Sequence, residues 1–384
     1  MTAETLSQAS TALPPAALPL PPPELSRGWR LALAVVAALL AGLAMTALVS
    51  REPLRAYLVL LTGALPDVDW SRAHGWQLHR MVRFGTVIED AVTLTFLGLA
   101  VALPFRARQF SLGADGQMFL AALAATATSL YWLQLGGPAW LLLPAAACAA
   151  VLTGFAWGLL PGLLKVRCGA NEMVTSLMLN LIALQFYRLA VADWLRDPHA
   201  GYQVTPLLPA AAVFSPLLEH TNVTTLLFAV PLAVAAAALL LTRTTLGYEI
   251  RVTGSAPAFA LQAGLPVGRA VVLSMAAGGA FAALAGLHIS NGLLKRLPVD
   301  LSPGLGYDGL LVALLARNDP RAVPWAALFY AWLRTGAQTM ERSTDVSRET
   351  VLVIQALIIL FVVAERLLPK RVSDVLARWT GGAR

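Results

Sequence analysis

Residues 31–49, LALAVVAALLAGLAMTALV, carry no charge. That is close to the roughly 20 apolar residues that cross a bilayer as a helix, and it restricts the chain to folds that lipid permits. Further apolar runs, set off by charged or Pro/Gly turns and some holding an isolated charge, lie near 88–105, 116–134, 139–157, 172–190, 224–242, 269–290, 306–316, 322–340 and 350–366, giving about ten crossings by the length rule. The run at 306–316 is short for a full crossing and sits beside Pro303 and Gly304, as a half-helix would. Only 13% of residues are charged, against about 25% in soluble domains.

Arg27 and Arg30 precede the first run and favour a cytoplasmic N-terminus. Residues 1–26, with six prolines among Ala, Ser and Thr, are neither basic nor apolar enough for a cleaved signal and read as a disordered cytoplasmic tail. An even number of crossings returns the C-terminus to the same side, where Arg366, Lys370, Arg371, Arg378 and Arg384 cluster. The expected division is a tail at 1–26, a transmembrane permease domain at 27–370 and a basic cytoplasmic tail at 371–384. The net charge of +7 is explained by a cytoplasmic membrane face and needs no nucleic acid.

Two stretches far apart share one pattern: FSLGADGQMFLAALA at 110–124 and LSPGLGYDGLLVALL at 301–315. Each puts a Gly-containing break and an Asp-Gly step before an apolar helix, and on this topology the two helices run in opposite directions. A weaker echo pairs NEMVT at 171–175 with RETVL at 348–352. The expected fold is therefore an all-α integral membrane protein of about ten transmembrane helices, in two inverted-topology halves with broken helices at the centre.

Asp115 and Asp308 are the carboxylates expected at membrane depth. A charge there costs about 2.5–3.5 kcal/mol on insertion scales, so it faces protein or a polar path; each could equally cap the helix it opens. Neither has a basic neighbour in sequence. Glu89 and Asp90 read as an entry-path pair or, preferably, a solvated salt bridge with Arg80 and Arg83. Ser111, Gln117, Asn180, Gln185 and Gln355 are uncharged polar groups that more often bridge helices than bind solute. His288 reads as an interface residue near the end of its span. The loop at 243–269 contains one short capped helix from Pro257 to Ala263, ended by Gly264, suited either to docking a cytoplasmic partner or to lying in the membrane surface.

Enzymatic chemistry finds no support. GLLPGLLK at 158–165 lacks phosphate-loop spacing and a following Ser or Thr. The five histidines show no metal-ligand spacing, and Cys148 and Cys168 are too few for a zinc site. If ATP supplies the energy, another chain hydrolyses it; no metal or cofactor is expected in this one.

Four segments resemble the bacterial ABC-importer permeases that serve branched-chain amino acids, simple sugars and nucleosides. FSLGADGQ at 110–117 resembles that family's F-N-I-G-x-E-G-Q signature. GANEMVTSLMLN at 169–180 is similar to the nucleoside-type G-A-N-E-V-x-x-T-L-M-L-N. GYEIRVTGSAPAFALQAG at 247–264 is similar to its cytoplasmic segment, and SPGLGYDG at 302–309 continues the match. The resemblance runs from about 85 to 366. Ser111 stands where the family usually has Asn, Asp115 where it has Glu, Arg108 where Gly is common, and Ala256 where Asn precedes Pro.

The resemblance implies a permease subunit in a bacterial inner membrane that moves a nucleoside or related purine or sugar compound by alternating access, its halves rocking about a central site. Its implied partners are ABC ATPase subunits, a second, non-identical permease, an extracytoplasmic solute-binding protein and membrane lipid. The implied pathway residues are Ser111, Gly113, Asp115, Gly116, Gln117, Gly306, Asp308 and Gly309. The implied ATPase-docking residues are Gly247, Glu249, Arg251, Gly254, Pro257, Ala260 and Gly264. The rival reading is an ion-coupled secondary carrier or channel.

Overall fold

A computed structural model describes residues 27–65, 67–71, 75–79, 81–217, 221–301 and 304–363. The stretches at 1–26 and 371–384, together with Arg80, Ser302 and Pro303, lie outside the described residues. By chain contacts there are two compact units, Met1–Ala41 with Leu357–Arg384, and Gly42–Ala356. The described part of the first is helical, and every site discussed below belongs to the second.

The helices are α1 Arg27–Val49, α2 Pro53–Thr62, α3 Met81–Arg106, α4 Ala114–Tyr131, α5 Ala139–Cys168, α6 Glu172–Leu189, α7 Ala229–Arg243, α8 Thr245–Ser255, α9 Pro257–Gln262, α10 Val267–Leu287, α11 Leu305–Leu315, α12 Val323–Ser343 and α13 Arg348–Val363. The described part of each apolar run falls mainly on one of them. Among the described residues five helices are long and apolar enough to cross a membrane: α3, α5, α6 with its π-helical end, α7 with its 3-10 start, and α10 with its π-helical end.

Several expectations need correction. The fold is all-α as expected, with one addition: Asp67–Ser71 and Gly75–His79 form an antiparallel hairpin with Trp70 opposite Trp76, in a connection whose short alternation gave too weak a strand signal. The helix α2 was passed over because ten residues containing Arg55 fail the length rule. The fourth run does not stop at 157. Its helix continues through Pro161 to Cys168 and ends at Gly169 (φ 65°), whose N–H bonds the Lys165 carbonyl at 3.0 Å in a left-handed cap. The phosphate-loop echo at 158–165 is thus helix interior.

The helices α3 and α10 are the most enclosed of the five long ones, while α5 and α7 leave most of their apolar surface open. Position explains the difference, since α3 and α10 each pack against three or more helices. Every third or fourth residue on the contact faces is Gly or Ala, so backbones approach until carbonyls touch. Gly154 and Gly158 of α5 lie on Gly279 of α10, where a methyl group added to Gly279 would stand 2.1 Å from the Gly154 carbonyl oxygen. The packing has a reciprocal pattern: α3 and α10 pack on each other, α10 also lies against α4 and α5, and α3 against α11 and α12.

Candidate functional site

The break before α4 turns at Arg108, whose φ of 56° is left-handed. An L side chain pays about 1–2 kcal/mol in that region and glycine does not. After the turn the chain is held by α6. The Leu112 N–H donates to Ser176 Oγ at 3.0 Å, and Asn180 donates from Nδ2 to the Leu112 carbonyl. The Gly116 N–H donates to Asn180 Oδ1 at 2.9 Å. The segment 169–180 therefore positions the signature at 110–117, and Asn180 bridges helices as its residue type suggested. Asn171 accepts from the N–H groups of Met173 and Val174 to cap α6, while Lys165 and Glu172 join α5 to α6 at 2.9 Å.

Asp115 does not cap its own helix. Its Oδ1 accepts from the Gly306 N–H at 2.6 Å, so a carboxylate on one broken helix satisfies a free donor at the start of the other. A side chain at Gly306 would come within 2.9 Å of the Asp115 carboxyl, and Gly304 turns the chain into α11 with φ 107°. Ser111, Asp115 and Gln117 are all buried, as are Gly113, Gly116, Gly306 and Gly309. The first and second motifs thus meet, but through Asp115 and Gly306 rather than through both aspartates.

Asp308 faces elsewhere. The Tyr330 hydroxyl donates to its Oδ1 at 2.5 Å and Arg334 Nη1 to its Oδ2 at 3.3 Å. Arg334 Nε also lies 3.9 Å from Asp90 Oδ2. One guanidinium on α12 is therefore shared by carboxylates from α3 and α11, all three groups being about three-quarters buried. This overturns one expectation, since Asp90 pairs with Arg334 rather than with a solvated Arg83, and it gives Asp308, which has no basic neighbour in sequence, a basic partner from another helix. Arg334 was missed although a signal was present, since it is an isolated cation inside the run at 322–340, and a charge at such depth needs an opposite one.

His288 is not an interface residue. It is buried at the first residue of the π-helical turn His288–Leu294, where Nδ1 shares a 2.9 Å hydrogen bond with Thr93 Oγ1 of α3. In the same turn Asn291 donates to Ser129 Oγ at 2.9 Å and to the Ala212 carbonyl at 2.8 Å. Gln185, expected at depth, is exposed.

The loop at 243–269 contains two helices where one was expected. Thr244 caps α8 by accepting from the Gly247 N–H at 3.0 Å; Pro257 opens α9 and Gly264 (φ 73°) ends the turn after it. Gly247, Ile250 and Thr253 face inward, and Gly254 meets the Arg106 carbonyl so closely that a methyl group would sit 1.9 Å from it. Ala260 is buried under α9, whereas Tyr248, Arg251, Pro257, Phe259 and Leu261 are exposed. Glu249 is half-buried, and its Oε2 has no hydrogen-bond partner among the described residues. The helix α8 escaped notice because Gly, Thr and Val lower its intrinsic propensity; its packing against α7 and α10 holds it.

The family model for the permease component of the branched-chain amino acid transport system matches residues 84–363. The chain is 32% identical to a glucose ABC transporter permease protein of Haloferax volcanii, the match covering 77% of this chain and 82% of that one. It is 33% identical to a guanosine ABC transporter permease protein of Bacillus subtilis, over 72% and 80%. A nucleoside ABC transporter permease protein of Lactococcus lactis is 30% identical over 74% and 81%. No solved structure matches.

Proposed function

From the premise that this chain belongs to the family of branched-chain amino acid transport system permease components, we propose that it is the translocating subunit of an ATP-driven importer for nucleosides or related purine or sugar compounds. The observation that carries this reading is the similarity over about four-fifths of the length of relatives named for guanosine, nucleosides and glucose. The chain sits in a bacterial inner membrane with both termini cytoplasmic and with ten crossings in two inverted halves. The reciprocal packing of α3 and α10 and the meeting of the two broken helices at Asp115 and Gly306 support that symmetry.

Solute passes beside the broken helices near Ser111, Gly113, Asp115, Gly116 and Gln117, with Gly306, Asp308 and Gly309 on the second break. ATPase subunits dock on α8 and α9 through Glu249, Arg251, Pro257 and Gly264 and supply the ATP chemistry; Gly247, Gly254 and Ala260, expected in the same surface, face the protein interior and shape the two helices from beneath. The exposed Tyr248, Phe259 and Leu261 give that surface the apolar character of a protein contact. A second, non-identical permease and an extracytoplasmic solute-binding protein complete the assembly.

The ion-coupled carrier gains one observation, the acids gathered around Arg334, because such clusters mark proton and cation relays. The two readings separate in one experiment. Uptake of labelled guanosine and labelled glucose is measured in cells with the partner ATPase intact or disabled, and with the proton gradient intact or collapsed. Loss with the ATPase supports the importer; loss with the gradient alone overturns it.

Two variants test the assigned surfaces. Asp115→Asn keeps an acceptor for the Gly306 N–H but removes the charge, so uptake is expected to fall severalfold while membrane abundance stays near wild type. Equal losses in both would reduce Asp115 to a cap. Reversing charge at Glu249 and Arg251 is expected to leave the chain inserted and stop ATP hydrolysis from driving uptake; unchanged transport would remove the docking role.

A further inference from the structure

We propose that α3 and α12 border a polar furrow open to water, with Asp90, Arg334 and Asp308 as its floor, and that this floor binds the adjacent ring hydroxyls of a sugar or nucleoside. The inference rests on the solute class proposed above and deepens it by naming the groups that tell a hydroxylated ring from one without hydroxyls.

The furrow is written along α12. Tyr330, Arg334, Gln338 and Glu341 follow one another at helical spacing, which gathers them within about a quarter of the helix circumference. Trp325, Leu328 and Trp332 lie on the opposite side, the first two exposed. An apolar side of that kind suits lipid, whereas charged groups at membrane depth face protein or a water-filled cavity. Arg334, Gln338 and Glu341 are nevertheless partly exposed, and so are Arg83, Thr86 and Asp90, which make a matching stripe on α3. The two helices pack together, and their stripes meet where Arg334 Nε stands 3.9 Å from Asp90 Oδ2. On the topology proposed above α3 begins and α12 ends at the outer surface, so the furrow opens toward the side from which an importer receives its solute.

The floor offers what a pair of hydroxyls needs. A hydroxyl both donates and accepts, so a carboxylate takes its proton while a guanidinium donates to its oxygen. The Arg334–Asp90 separation of 3.9 Å exceeds a hydrogen bond, which leaves Asp90 with acceptor capacity. Asp308 is already held by Tyr330 at 2.5 Å and by Arg334 at 3.3 Å. Asp90 is therefore the acceptor that determines specificity, and Asp308 fixes the guanidinium. A metal ion suits the place less well, because the guanidinium already occupies the position between the two carboxylates and would have to be displaced. A neutral polyol adds hydrogen bonds and leaves the ion pairs standing. Asp308 also follows Gly306, the residue bonded to Asp115, by two positions, so a ring on the floor lies beside the break that the solute is to pass.

Thiol labelling in cells that carry the whole transporter provides the test, with Cys148→Ser and Cys168→Ser as the background. Gln338→Cys and Glu341→Cys are expected to react with a membrane-impermeant thiosulfonate added outside, and Trp332→Cys, on the opposite side of α12, to stay unreactive. Guanosine should slow the reaction at Gln338→Cys. The analogue 2′,3′-dideoxyguanosine, which lacks both ring hydroxyls, should need about tenfold more for the same protection, the factor that a hydrogen bond to a charged group carries. Adding Asp90→Asn should cut that difference to about threefold, since a neutral acceptor holds a hydroxyl about half as strongly. If neither Gln338→Cys nor Glu341→Cys reacts, the furrow is overturned. Equal protection by the two nucleosides, or a tenfold difference that survives Asp90→Asn, overturns the hydroxyl site. Uptake of labelled guanosine by the same cells separates this inference from the one it rests on. ATPase-dependent uptake without protection refutes the floor alone, whereas hydroxyl-selective protection with uptake indifferent to the ATPase refutes the importer and leaves the floor standing.

Discussion

Replacing Arg334 with methionine is expected to destabilise the chain by about 3 kcal/mol, the cost of breaking a largely buried ion pair from one side. Asp90 from α3 and Asp308 from α11 both rely on that guanidinium, and without it two carboxylates face each other in an apolar interior. The loss should appear as a lower unfolding midpoint in detergent and as reduced membrane abundance. Adding Asp90→Asn and Asp308→Asn to the same chain should restore most of it, because the uncompensated charges are then gone and amides can still bond Tyr330. The lysine variant should fall between, keeping the charge but losing the fork that reaches both acids. A methionine variant as stable as wild type, or a triple variant no better than the single, would refute the shared pairing.

Gly279→Leu is expected to be strongly destabilising. Even the first carbon of the new side chain falls 2.1 Å from the Gly154 carbonyl oxygen, which is backbone and cannot rotate away. Overpacking of a tight core costs about 1–3 kcal/mol where side chains can adjust; here two helices must separate along their length, and the upper end applies. Gly136→Leu is the control, since nothing lies within 4 Å of that position, although its φ of 78° adds some local strain. Thermal unfolding of both variants in one detergent would distinguish the seam from a general intolerance of leucine. Equal midpoints would mean that α5 and α10 are not pressed together as described.

The helices were legible because long apolar runs with few charges have few other uses, and the described part of each run falls mainly on a helix, although only five of those helices are long and apolar enough to cross a membrane. The break motifs were legible as well, since an Asp-Gly step after a helix breaker is a local signal. What local pattern could not supply was pairing. Asp115 reads as a cap for α4, and only the folded chain shows that it serves α11. Arg334 was visible as a cation at depth, but nothing in its neighbourhood names Asp90 as a partner, because α3 and α12 are brought together by packing. His288 was misread for a related reason: a π-helical turn shifts the face that a regular helix would present. The loop at 243–269 yielded its proline-opened helix and concealed the weaker one before it, whose order comes from contacts and not propensity.

The glycine seam between α5 and α10 also restricts how such a subunit can move. The two helices belong to opposite halves of the sequence, and their backbones already touch, so neither can slide or tilt against the other without opening a void that apolar side chains are too distant to refill. The hydrogen bond from Gly306 to Asp115 adds a second tether between the two parts of the sequence, so motion of one against the other must break it or carry it along. The seam and the tether therefore make α5, α10 and the starts of α4 and α11 the stiffest part of the chain, and the more open faces of α5 and α7 the part with most room to give.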